Sequence, residues 1–218
     1  LSGWAMAGAA FGGAFLAVLA VSLAAKWAGG SQTAVILSGV AMNAFLGAMS
    51  DAVTDLVPEA AAMSADFRVG GFGAVVPARL IPAGILILLA LGAVLLLHRE
   101  LEVLSLGEDL ARSLGVNARR MRTVFLALAA LLCGAAVSFA GLLGFVGLIA
   151  PHMTNLLLKN DSRLQTPVTA AFGAALCLVC DLIARTAFAP YELPVGVVLS
   201  FLGAPFFLWL LIRRKRSN

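Results

Sequence analysis

Seven mainly apolar runs, each close to the thickness of a lipid bilayer, constrain this chain more than any single motif. They fall at residues 4–25, 33–54, 78–97, 123–140, 142–158, 167–188 and 194–212, where Ala, Gly, Leu, Val, Ile and Phe dominate. A helix of about 20 apolar residues crosses the hydrocarbon layer. Barrel strands would alternate polar and apolar positions, and these runs do not, so each is expected to be a helix. The chain is 61% hydrophobic and only 12% charged, about half the charged share of a soluble domain. A soluble core of 218 residues cannot hide so much apolar surface. The sequence therefore predicts an all-α, polytopic membrane protein with one transmembrane domain over residues 1–218 and about seven spanning helices.

Charge then sets the orientation. With the tail "RRKRSN" on the cytoplasmic side, that side also receives Lys26, the Arg99–Arg122 segment, Lys159 and Arg163. Twelve of the fifteen Lys and Arg residues lie there, leaving Arg68, Arg79 and Arg185 outside. The positive-inside rule predicts a cytoplasmic C-terminus, and an odd number of spans puts the two ends on opposite sides. Topology accounts for the net charge of +4, so nucleic acid is not an expected partner and membrane lipid is. Asp51 and Asp55, one turn apart at the outer end of a span, either reach interfacial water or line a polar path. The chain opens at Leu1 inside an apolar run, with no basic segment before it. No cleavable signal peptide is expected, and the abrupt start suggests a fragment of a longer chain.

The remaining links are short except for two, and there is no soluble catalytic domain. Residues 55–77 form an outer segment with Gly70, Gly71 and Gly73 near its end, and residues 98–122 form a cytoplasmic one. The chain lacks the G-x-x-x-x-G-K-[ST] loop that cradles nucleotide phosphates, so it is not expected to bind or hydrolyse ATP. Cys177 and Cys180 have C-x-x-C spacing but no second pair or nearby histidine, and His98 and His152 share no ligand spacing. Packing is the expected role for the cysteines, with no metal site.

Two stretches stand out. In "GLLGFVGLIAPHMTN", residues 141–155, Gly141, Gly144 and Gly147 recur three apart before Pro151 and His152. On one helix, small residues at that spacing let neighbouring backbones approach closely, and Pro151 removes a backbone hydrogen bond and kinks the helix. These residues predict a packing and hinge element. In "SLGEDLARSLG", Ser105 and Glu108 have the S-x-x-E pattern of a capping box opening a helix near Leu106, and Gly115 fits a C-cap. A second, basic turn at Asn117–Arg122 leads back to the membrane. The apolar face of this short amphipathic helix either lies on lipid headgroups or docks into a groove on a soluble partner.

The run "SLGEDLARSLGVNARRMR" resembles the cytoplasmic coupling segment of the binding-protein-dependent permeases that import iron chelates, haem and vitamin B12. "ILSGVAMNAF", "GGFG", "GFVGLIAPHM", "DLIAR" and "ELPVGVV…LGAPFFLWLL" resemble the same family in the same order. The resemblance covers nearly the whole chain. It implies the permease subunit of a type II ABC importer in the bacterial cytoplasmic (inner) membrane. Such permeases have about ten spanning helices, of which this chain matches the last seven. They work as a pair of copies with two ATP-binding subunits, which carry ATP and Mg, and an external substrate-binding protein. The permease itself is not an enzyme and binds no cofactor.

Carried onto this sequence, the coupling role falls on Leu106, Gly107, Glu108, Ala111, Arg112, Leu114 and Gly115. Arg185 matches an arginine that pairs with a glutamate of the binding protein, although Asp181, four residues earlier, offers a local partner. Ser31, Gln32 and Thr33 occupy the place of the family's cytoplasmic gate, and also suit an ordinary turn with Ser31 or Thr33 as N-cap. The family often has an arginine where this chain has Asn155. An ion-coupled secondary transporter would predict ionisable residues at mid-membrane and inverted repeats. An intramembrane enzyme would need a paired nucleophile and base at depth. The sequence favours the importer of an iron chelate, siderophore or haem, with vitamin B12 as the alternative cargo.

Overall fold

The computed structural model describes all residues except 1–2, 29–31, 58, 60–66, 74, 76, 159–161, 188–189 and 216–218. Among the described residues nine helices of six residues or more follow one another, and there is no strand. They are α1 (Gly3–Trp27), α2 (Gln32–Leu56), α3 (Pro77–Leu96), α4 (His98–Ser105), α5 (Glu108–Ser113), α6 (Ala118–Ala140), α7 (Val146–Leu158), α8 (Ser162–Thr186) and α9 (Val195–Lys215). Seven of them coincide with the seven apolar runs. Ile36–Leu56, Ala118–Ala140 and Leu164–Thr186 are long and apolar enough to cross a membrane. Leu80–Leu96 joins them if it is counted with α4, from which it is bent by 62°. Phe11–Trp27, Val146–Leu158 and Val195–Leu210 are shorter apolar helices.

The helices sort into two groups. In the first, α6 is central, with α1 and α3 packed along it and α2 packed on α1. Its inward face is made of Ala130, Gly134, Ala135, Ser138 and Ala140. Small residues like these let backbones close up where lipid gives no hydrophobic drive between helices. Gly134 shows how close: a Cβ there would stand 2.9 Å from Phe11 Cα of α1. In the second group α8 packs against both α7 and α9, around buried Cys180, Ala184, Val195, Val198 and Leu199. The Thr154 and Thr169 hydroxyls, 2.7 Å apart, and a hydrogen bond from Gln165 to Asn155 join α7 to α8. Asn155, where the family often has arginine, thus has a partner inside the chain.

The helix expected over 142–158 begins at Val146 instead. Gly141 ends α6 with φ +69, and Phe145 has φ +64, so residues 141–145 leave the helix. Gly141 and Gly144 therefore do not lie on one helix with Gly147. Only Gly141 is at a close approach, where a Cβ would stand 2.6 Å from the Phe67 carbonyl oxygen. Gly144 has one ordinary contact, and around Gly147 there is open space. α7 continues through Pro151, with the Thr154 hydroxyl donating to the carbonyls of Ala150 and Pro151.

Candidate functional site

At one end of the first group, α3 turns sharply into α4, and α5 and α6 follow. This is the expected coupling segment, with two differences from the sequence reading. Residues 98–105 form a separate helix, and the capping box is not made. The Ser105 hydroxyl donates backwards to the Glu102 carbonyl at 2.7 Å, and Gly107, at φ +114, is the N-cap of α5. Ser105 already belongs to α4, so its side chain satisfies that helix and not the next.

The far end of α5 is as expected, and more tightly made. Gly115 has φ +80, its N–H donates to the Arg112 carbonyl at 3.0 Å, and the Val116 N–H donates to the Ala111 carbonyl at 2.9 Å. This pair of bonds is a Schellman cap, which needs the left-handed residue that glycine supplies cheaply. Asn117 then caps α6 by accepting from the Arg120 N–H at 3.1 Å. The C-terminal end of α5 is thus closed by hydrogen bonds, whereas its N-cap, Gly107, has no side-chain cap. Ala111 is wholly buried, so it seats α5 against the chain. Leu106, Leu110 and Leu114 instead stand 61%, 48% and 59% exposed, four residues apart. Leu110, absent from the expected coupling set, lies within α5, whereas Leu106 precedes its N-cap and Leu114 is its C-cap.

Of the three expected gate residues, Ser31 lies outside the described residues. Gln32 begins α2, and Thr33 lies inside that helix, so Thr33 is not an N-cap. Thr33 lines an open cavity of about 630 Å³ between α1 and α2, with Ala28, Leu37, Ala41 and Phe45. Only α1 among the described helices packs broadly on α2, and no residue of Ile36–Leu56 is buried.

At the opposite end of α3 and α6, irregular backbone from three parts of the chain meets. The Gly71 N–H donates to Ala140 at 2.8 Å, the Leu142 N–H to Phe67 at 2.9 Å, and the Gly196 N–H to Gly70 at 3.2 Å. The sequence reading noticed the glycines at 70–73 but gave them no role. Beside this junction Arg68 binds Asp51 at 2.7 Å and Ser50 at 2.9 Å, so Asp51 is ion-paired to the segment over 55–77. Arg185 binds Asp181 at 2.9 Å and has Glu192 at 3.9 Å. The local partner foreseen for Arg185 is therefore engaged, and the arginine stays partly exposed.

His152 packs edge-on to Phe206, with ring centroids 6.2 Å apart, and Phe206 meets Trp209 at 6.1 Å. Cys180 is buried in the α8–α9 core. Among the described residues no three His, Cys, Asp or Glu side chains come together as metal ligands.

Comparison with known proteins adds an independent line. The model of the FecCD transport family matches residues 1–213. The hemin transport system permease protein HmuU of Yersinia pestis is 38% identical over 211 residues, covering 94% of this chain and 63% of the relative. The cobalamin import system permease protein BtuC of Halobacterium salinarum is 39% identical over 211 residues, covering 95% and 56% respectively. A solved structure described as an inward-facing conformation of a metal-chelate type ABC transporter superposes with a TM-score of 0.78 at 25% identity. That match covers 95% of this chain and 75% of the other. The chain thus spans about three fifths of the length of the curated relatives it matches.

Proposed function

Because this chain belongs to the FecCD transport family, we propose that it is the permease part of an ATP-driven, binding-protein-dependent importer of a bulky iron chelate. The observation that carries this reading is the set of exposed leucines Leu106, Leu110 and Leu114, lying within and at the two ends of α5, whose C-terminus is closed by a Schellman cap. Leucines exposed on and beside a short helix cost apolar exposure unless something covers them. A groove on a soluble ATP-binding subunit covers them and gains a handle. Closure of that subunit around ATP pushes the helix as a rigid body, and α5 passes the motion to α4 and α6 with no chemistry of its own.

Seven helices then cross the cytoplasmic membrane with the C-terminus inside. A second copy of the permease completes the pathway. A loaded binding protein docks at the outer ends, where Arg185 offers a cation that can exchange its local carboxylates for one on the partner. ATP and Mg belong to the motor subunit. Thr33, which lines the α1–α2 cavity, is assigned with Ser31 and Gln32 to the inner gate. The pathway opens alternately to each side and holds its large cargo weakly along small apolar residues. Siderophore or haem is the favoured cargo. The likeness to a cobalamin permease supports vitamin B12 as the alternative.

Reconstitution of the full-length permease in liposomes, with its ATP-binding subunit and binding protein, tests this. Hydrolysis stimulated by one of a ferric hydroxamate, hemin or cobalamin, with accumulation of that compound inside, is the expected result. Accumulation with no ATP-binding subunit present overturns it.

A further inference from the structure

Among the described residues, the backbone hydrogen bonds that tie the two helix groups together lie at one end. Among the described residues no helix of the α1–α6 group packs broadly on a helix of the α7–α9 group. The crossing chain, residues 141–145, lies at the end away from α4 and α5. The segment 67–71 lies there too, hydrogen-bonded to both groups: Phe67 and Gly71 to Leu142 and Ala140, and Gly70 to Gly196. Phe72, next in sequence, packs into the α8–α9 core.

The backbones meet without room for side chains. A Cβ on Gly196 would stand 1.8 Å from the Val69 carbonyl oxygen, and one on Gly70 would stand 2.3 Å from the Leu142 carbonyl oxygen. Gly70 and Gly141 adopt φ +70 and +69, which glycine takes without strain. Phe145 adopts φ +64, a position bulky residues avoid, with its ring against the bare backbone of Gly203. Strain of this kind persists where the surroundings over-determine it, and switch regions are among those places.

We propose that residues 67–71 are a clasp that fixes the far ends of the two groups, so that the ATP-driven push on α5 swings their near ends apart about this junction. The proposal rests on the importer reading and deepens it. A hinge needs one end held and the other free. Three backbone hydrogen bonds hold the clasp end, and among the described residues no helices pack broadly between the groups elsewhere.

The test uses the full-length permease assembled with its ATP-binding subunit, with paired spin labels. One pair, at Arg119 and Leu157, reports the near ends, and the other, at Val57 and Tyr191, reports the far ends. Between the nucleotide-free and ATP-trapped states the near distance is expected to change by on the order of 5 Å while the far distance holds. Equal changes in both pairs, or no change in the near pair, overturn the clasp. In the same complex Gly196→Ala is expected to lower transport about tenfold while ATP hydrolysis continues. Gly92→Ala, where an added Cβ meets nothing within 4 Å, serves as the control. Wild-type transport by Gly196→Ala overturns the clasp, and if that variant does not fold, the spin-label distances decide. A permease that never recruits an ATP-binding subunit refutes the importer reading instead. Hydrogen exchange then judges the clasp alone: the Gly71, Leu142 and Gly196 amides are expected to exchange as slowly as mid-helix amides, and fast exchange there overturns it.

Discussion

Gly134 and Gly92 are both mid-helix glycines, and their surroundings give them opposite consequences. At Gly134 a Cβ would press on the Phe11 backbone, whereas at Gly92 it would enter open space. Gly134→Ala must push α1 off α6 and is expected to destabilise by about 1–3 kcal/mol, the usual cost of overpacking. Gly92→Ala adds no clash and removes backbone freedom from the unfolded chain, so it is expected to stabilise by about 0.5–1 kcal/mol. Thermal unfolding of the full-length permease in detergent reads both, and shifts of the same sign would refute the packing argument. Glycine spacing alone did not separate such cases. The 141–147 triplet has regular spacing, yet only Gly141 stands at a close approach, because φ +69 and the Phe67 carbonyl decide it and neither is written in the spacing. Phe145 at φ +64 carried no signal at all, since nothing about phenylalanine suggests a left-handed residue.

At the scale of the element, apolar length was the reliable signal. Runs of about 20 lipid-soluble residues have no alternative to a helix that satisfies its own backbone. α4 was less legible, because Ser105 can cap forwards or bond backwards, and it bonds backwards where α4 extends through it. Two helix pairings give tests. Thr154 and Thr169 join α7 to α8 through hydroxyls. A double-mutant cycle with Thr154→Val and Thr169→Val is expected to give a coupling of about 0.6–1.7 kcal/mol, the range found for hydrogen bonds between membrane helices. A coupling near zero would mean that the hydroxyls bond only within their own helices. On α5, Leu110→Glu leaves the chain's own packing intact because the side chain is exposed. Since burying a leucine is worth about 1.5–3 kcal/mol, the variant is expected to weaken association with the ATP-binding subunit by about ten- to a hundredfold. Titration of the solubilised permease with the purified subunit measures this, and unchanged affinity would place α5 on lipid.

For the molecule as a whole, the surface of α2 is the open question that the proposed function answers. Lipid accounts for exposed Met49 and Val53. It does not account for Asn43, which is also exposed near the middle of the helix, because polar groups at that depth face a cavity or another protein surface. Gly47, four residues on, has open space where a side chain would be, so the same face is free to take a close neighbour. Under the proposed function, a second copy of the permease would supply that neighbour and enclose a polar path. Leu88 on α3 is equally exposed but sits in an unbroken aliphatic run that suits lipid. In full-length permease stripped of native cysteines, a cysteine at Asn43 or Gly47 is therefore expected to give a disulfide-linked pair on mild oxidation in membranes. A cysteine at Leu88 is expected to stay monomeric under the same conditions. Cross-linking at Leu88 with none at 43 or 47 would move the partner to the α3 side. The cavity between α1 and α2 would then face lipid, and Thr33 could no longer stand at a gate.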